Sequence, residues 1–217
     1  MKCRKMGGLL LSAMMALTPV SVLAADGFTD VEAGAWYIPY VNEIVEKGLM
    51  NGIGNNQFAP NSQLTRAEFA QIIWNNFMNK EVSGTEPFRD TAGTWYEDAA
   101  TFCRQYDFIT GYADGSFGGD DLITRQQMIT ILNRVSKKTP WLSFVGGVSD
   151  STGGPLDRFP DRNEVADWAE DAMIWGVLFG IIGGSDYLRP NGITTRAEAA
   201  KMLAVWKHYA TTSMLFG

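Results

Sequence analysis

The chain has 217 residues, 46% of them hydrophobic and 12% aromatic, which is enough apolar material for a sizeable core. Its 24 acidic residues outnumber 18 basic ones for a formal charge of −6, so nucleic acid and anionic lipid surfaces are poor partners. With one histidine, His208, a zinc site and a histidine-dependent catalytic triad both lack their usual ligands and bases.

The first residues read as a secretory signal. Lys2, Arg4 and Lys5 precede an apolar run over 6–17, then come Thr18-Pro19 and the small-residue end Val22-Leu23-Ala24. Residues 1–24 are therefore assigned as a signal peptide, cleaved after Ala24, with Ala25 as the alternative site. No other stretch approaches the ~20 apolar residues of a membrane helix, so no membrane insertion is expected after cleavage. Loss of Lys2, Arg4 and Lys5 leaves 15 basic against 24 acidic residues, a formal −9. Cys3 leaves with the signal, and Cys103 falls on the inward side of a helical pattern, where it reads as a small core hydrophobe.

The rest of the chain is written three times. The first copy runs Phe28-Thr29-Asp30, Trp36-Tyr37, Gly48-Leu49-Met50, Gly52, Phe58, Pro60 and Thr65-Arg66-Ala67-Glu68. The second runs Phe88-Arg89-Asp90, Trp95-Tyr96, Phe108-Ile109, Gly111, Phe117 and Thr124-Arg125-Gln126-Gln127. The third runs Phe159-Pro160-Asp161, Trp168-Ala169, Gly180-Ile181-Ile182, Gly184, Leu188, Pro190 and Thr195-Arg196-Ala197-Glu198. The units are placed at 25–82, 86–138 and 157–211, with a Gly- and Pro-containing linker at 139–156, in which Trp141 and Phe144 read as packing anchors.

Each copy predicts two helices. In the first helix Tyr37, Val41, Ile44 and Val45 recur at helical spacing, and Gly48 stands where the helix should end; Tyr96, Ala99, Ala100 and Cys103 repeat the pattern. A Gly- and Asn-rich loop then leads to a longer helix. Its inward face is Phe69, Ile72, Ile73 and Phe77, then Met128, Ile131, Leu132 and Val135, then Ala199, Met202, Leu203 and Trp206.

The longer helix opens with Thr-x-x-Glu or Thr-x-x-Gln, a capping box in which the Thr side chain accepts the N–H three residues on and the Glu or Gln reaches back to the Thr N–H. The arginine inside the box is not explained by helix formation, because a cation at the positive end of the helix dipole is unfavourable by roughly 0.3–1 kcal/mol. Arg66, Arg125 and Arg196 instead suit a carboxylate or phosphate, received by the guanidinium together with free helix-start N–H groups. An intramolecular salt bridge to a nearby Asp or Glu is the alternative.

One helix pair cannot bury its own apolar face, so the copies must pack on each other. A closed pseudo-threefold with the long helices in a central three-helix bundle, and an open superhelical stack, both satisfy this. The fold class is all-α either way.

These residues resemble the S-layer homology repeat: the Phe-x-Asp opening, the Trp of the first helix, Gly-Tyr-Ala-Asp-Gly-Ser-Phe at 111–117, and Thr-Arg-Ala-Glu. The resemblance covers about 28–209 and implies a three-pronged all-α domain that anchors secreted proteins non-covalently to the bacterial cell wall, at the cell surface. Its implied partner is secondary cell-wall polymer, often carrying a ketal-pyruvylated amino sugar, or peptidoglycan. Binding would lie in grooves between prongs, with Arg66, Arg125 and Arg196 meeting the pyruvate carboxylate, Trp36, Trp95 and Trp168 as wall residues, and Asp30, Asp90 and Asp161 as further candidates. The sequence departs from the pattern at Gln126-Gln127, at the shortened loop 184–188, and at Thr194, where an aliphatic residue is usual. The changed third loop favours the Arg66 and Arg125 grooves over that of Arg196. A structural or adaptor subunit of a surface layer, with self-association, is the alternative role.

Other features have plainer readings. Aromatic recurrence at one helical position, as in Trp36, Trp95 and Trp168, is typical of core packing. Tyr112 and Phe117 suit either sugar stacking or burial under a neighbouring repeat. Asp114-Gly115 and Asp120-Asp121 lack the spacing of a calcium loop and read as turn chemistry. No pair of acids stands out as a glycosidase dyad, and Glu68 and Glu198 are already used in capping. No catalysis, cofactor or metal is expected.

Overall fold

A computed structural model describes residues 27–77, 81–138 and 154–215, with side chains to 209. The proposed signal peptide, most of the linker, and Trp141 and Phe144 lie outside these residues. Among the described residues six α-helices form: α1 (Ile38–Glu46), α2 (Arg66–Asn75), α3 (Glu97–Gln105), α4 (Arg125–Lys138), α5 (Glu170–Leu178) and α6 (Arg196–Leu215). Among the described residues there is no strand, only isolated bridges, and the fold is all-α. No described helix is long and apolar enough to cross a membrane.

The helical periodicity translates directly into burial. Tyr37, Val41, Ile44 and Val45, their counterparts Tyr96, Ala99, Ala100 and Cys103, and the inward faces of α2, α4 and α6 are buried, apart from Phe77, which is half-buried against the core. Burying a Leu, Ile, Phe or Met side chain contributes about 1.5–3 kcal/mol, so these faces are the main term holding the repeats together. Gly48 follows α1 with φ +66°, the left-handed conformation that ends helices and that glycine adopts without a Cβ penalty.

The repeats close on themselves. The long helix of each copy packs on the short first helix of the next: α2 on α3, α4 on α5, and α6 back on α1. The last long helix reaches the other two through side chains, with Trp206 Nε1 donating to Ser136 Oγ of α4 at 2.9 Å and Lys207 Nζ to Asn76 Oδ1, just past α2, at 2.7 Å. At the axis the residues preceding the three capping threonines form a ring of backbone hydrogen bonds. The Leu64 N–H donates to Thr194 O (3.0 Å), Thr194 to Ile123 O (3.0 Å), and Ile123 to Leu64 O (2.9 Å). This closed arrangement decides against the open stack.

Candidate ligand grooves between repeats

The ring brings the start of each long helix against the loop of the following repeat. All three capping boxes form: Glu68, Gln127 and Glu198 accept the N–H of Thr65, Thr124 and Thr195 at 2.8, 3.0 and 3.0 Å. Thr65, Thr124 and Thr195 Oγ1 accept the return N–H at 3.2, 3.3 and 3.3 Å. The next two amides are also taken. Arg66 and Ala67 donate to Asp121 O and Gly119 O, Arg125 and Gln126 to Gly192 O and Pro190 O, and Arg196 and Ala197 to Ser62 O and Pro60 O, all at 2.9–3.0 Å. The helix-start amides expected to receive an anion are therefore consumed by neighbouring loops, and only the guanidinium groups remain for that task.

Each arginine faces the loop of the next copy, not its own. Arg66 is buried between repeats one and two, its Nε donating to Phe117 O at 3.1 Å and its guanidinium lying over the Tyr112 and Phe117 rings, 4.8 and 5.4 Å from their centroids. Arg196 is buried between repeats three and one, with Nε to Phe58 O at 2.7 Å, Nη2 to Asn51 O at 2.6 Å, and the Phe58 ring 4.8 Å away. Arg125 lies between repeats two and three, where Leu188 replaces the ring, and its buried Nε has no hydrogen-bond partner. The shortened third loop thus borders Arg125 rather than Arg196, which removes the sequence argument for preferring the Arg125 groove.

None of the three guanidinium groups is in an ion pair among the described residues. Burial lowers the pKa of each; Tyr112, Asp121 and Asp90 oppose this at Arg66, Glu198 at Arg125, and Glu68 and Asp30 at Arg196. Desolvated cations held without a directly bonded carboxylate favour an incoming anion, because a charge-assisted bond in such surroundings is stronger than one in water. The salt-bridge alternative is set aside.

Asp30, Asp90 and Asp161 have a defined task in the fold. Each carboxylate accepts two successive loop amides: Phe58 and Ala59 at 2.8 and 2.7 Å, Phe117 and Gly118 at 2.7 and 2.9 Å, Leu188 and Arg189 at 2.9 and 2.7 Å. The second residue of each pair has positive φ: +57° at Ala59, +68° at Gly118 and +51° at Arg189. The aspartates hold the loops that face the arginines: those of Asp90 and Asp30 carry the carbonyl and ring that meet Arg66 and Arg196, and that of Asp161 carries Leu188 beside Arg125.

The tryptophans are not core. Trp36, Trp95 and Trp168 are 55%, 65% and 56% exposed, because each precedes its short helix and points away from the packed face. Trp36 and Trp95 stand edge-on against Tyr37 and Tyr96, at 5.4 and 5.3 Å. Tyr96 also touches Phe117, with centroids 5.7 Å apart, which connects Trp95 to the Arg66 groove. Phe117 is buried, whereas Tyr112 is partly exposed and donates its hydroxyl to Asp121 at 2.7 Å.

Sequence reasoning missed the work of Gln126. Its Nε2 donates to Asn191 Oδ1 at 2.7 Å, and its Oε1 accepts the Ala166 N–H at 3.0 Å, joining repeat two to the segment that carries Trp168. Ala67 and Ala197 stand at this position in the other copies, so the substitution itself was the available signal.

The S-layer homology domain matches residues 27–70, 87–129 and 158–200, and the chain belongs to this family. It is 31% identical over 200 residues to the S-layer protein sap of Bacillus anthracis, covering 89% of this chain and 23% of that protein. An exoglucanase XynX of Acetivibrio thermocellus is 28% identical over 180 residues, 81% of this chain and 16% of the enzyme. A cellulosome-anchoring protein of the same species is 25% identical over 157 residues, 70% of this chain and 32% of that protein. The chain thus spans a third or less of the length of these relatives. Family and S-layer relatives together mark a protein of the bacterial cell surface.

Proposed function

We propose that the chain anchors non-covalently to the bacterial cell wall by taking acidic sugars of secondary cell-wall polymer, such as ketal-pyruvylated amino sugars, into the grooves between repeats. The observation that carries this reading is the set of three guanidinium groups at repeat junctions, desolvated and free of ion pairs among the described residues. In it Arg66, Arg125 and Arg196 receive the carboxylate, and the exposed Trp36, Trp95 and Trp168 supply apolar faces for sugar rings. Asp30, Asp90 and Asp161 hold the loops in place. The chain acts as a binding module rather than an enzyme, consistent with its likeness to a small part of an exoglucanase.

Sedimentation with wall sacculi tests the reading. Binding to sacculi that retain their polymer, lost when the polymer is stripped, is the expected result. Binding that survives stripping would move the partner to peptidoglycan, and no sedimentation with either would sink wall anchoring. A surface-layer subunit is the second reading, favoured by the likeness to S-layer proteins, and predicts concentration-dependent growth in light scattering.

A further inference from the structure

The three grooves are built from the same motif but are not equivalent. Arg66 and Arg196 each have a carbonyl on Nε and an aromatic face under the guanidinium. Arg125 has neither, since Leu188 stands where the others have Phe117 and Phe58, and its Nε is buried without a partner. A second cation stands beside it. Arg189 takes the place of Gly118 and Ala59, in the loop whose Pro190 and Gly192 carbonyls receive the first amides of α4. Its Nη2 is paired with Glu198, the capping carboxylate of the third repeat, whose other oxygen accepts the Thr195 N–H.

We infer that Arg125 and Arg189 together form a two-arginine clamp that makes the groove between repeats two and three the tightest of the three for a carboxylate-bearing sugar. This rests on the reading above and adds Arg189, which lies outside the Thr-Arg-Ala-Glu motif, as an affinity-determining residue. A carboxylate has two oxygens, enough to take one arginine each, and Arg189 exchanges Glu198 for the ligand. Glu198 is the resident competitor. Burial is the main cause that lowers the Arg125 pKa; Glu198 opposes it and the neighbouring Arg189 adds to it, so both groups act on this guanidinium at close range. The charges acting on the other two arginines are all of the opposite kind, Tyr112, Asp121 and Asp90 at Arg66 and Glu68 and Asp30 at Arg196, with no second cation acting on either among the described residues.

Two substitutions test this without disturbing the fold. Arg189→Gly installs the residue that repeat two uses at the same positive φ, and Glu198→Gln keeps the capping box as Gln127 does. The probe is the methyl glycoside of a ketal-pyruvylated N-acetylamino sugar, titrated calorimetrically against the chain, with its methyl ester as uncharged control. Removing one cation at close range should weaken the tightest site roughly fivefold to tenfold and reduce its sensitivity to salt. Glu198→Gln should tighten the same site several-fold. Unchanged affinity in Arg189→Gly, or weaker binding in Glu198→Gln, would overturn the clamp alone. If the unmodified chain binds neither the probe nor wall polymer, the anchoring reading falls and takes the clamp with it.

Discussion

Leu64 and Thr194, the residues before the first and last capping threonines, are joined backbone to backbone at 3.0 Å on the axis of the molecule. With Ile123 completing the ring, all three side chains are buried, and two are aliphatic. Thr194 brings a hydroxyl into the same place, and its Oγ1 has no hydrogen-bond partner.

That orphan hydroxyl predicts that Thr194→Val stabilises the protein. A buried polar group without a partner costs about 1–3 kcal/mol, and valine keeps the shape while removing it. Urea denaturation should show a later midpoint with an unchanged slope, and an earlier midpoint would contradict the assignment.

The arginines should separate into two classes in stability measurements. Arg196→Met breaks two hydrogen bonds and a ring contact, and Arg66→Met one bond and two ring contacts, so each should destabilise by about 1–3 kcal/mol. Arg125→Met loses no side-chain hydrogen bond among the described residues and relieves a desolvated charge, so its stability should hold or rise. Thermal melts of the three variants in parallel give the order. All three should bind wall material less well.

Acid should weaken the second repeat through Asp90. Desolvation raises its pKa, but the Phe117 and Gly118 amides, with Arg89 nearby, outweigh this and hold it below the usual carboxylate value. A group depressed in the folded state contributes stability that is complete above the unfolded pKa, about 3.9, and is lost as pH falls through the lower folded value. Denaturation midpoints followed from about pH 6 to pH 2 should fall in this range, and Asp90→Asn should flatten part of that fall.

Gln126 should prove structural. Gln126→Ala restores the residue of the other copies but strands the Ala166 amide and the Asn191 side chain. A loss of about 1–2 kcal/mol is expected, with faster hydrogen exchange at Ala166. Unchanged exchange there would show that the bridge is not maintained in solution.

The sequence by itself determined what is local. The capping boxes, the buried faces of α1 to α4, and the left-handed stop at Gly48 each depend on residues within a few positions of one another, so periodicity and side-chain chemistry suffice to read them. Cys103 was equally legible, lying on a helix face and fully buried, with its pKa raised by that burial. Tertiary structure decided which copy each arginine faces, because the ring at Leu64, Ile123 and Thr194 sets every helix start against the following loop. It also turned the tryptophans outward, since the packed face begins at the next residue, and gave the helix-start amides to carbonyls far away in the chain. A repeat announces its own helices, but its contacts with the other copies exist only after the ring has closed.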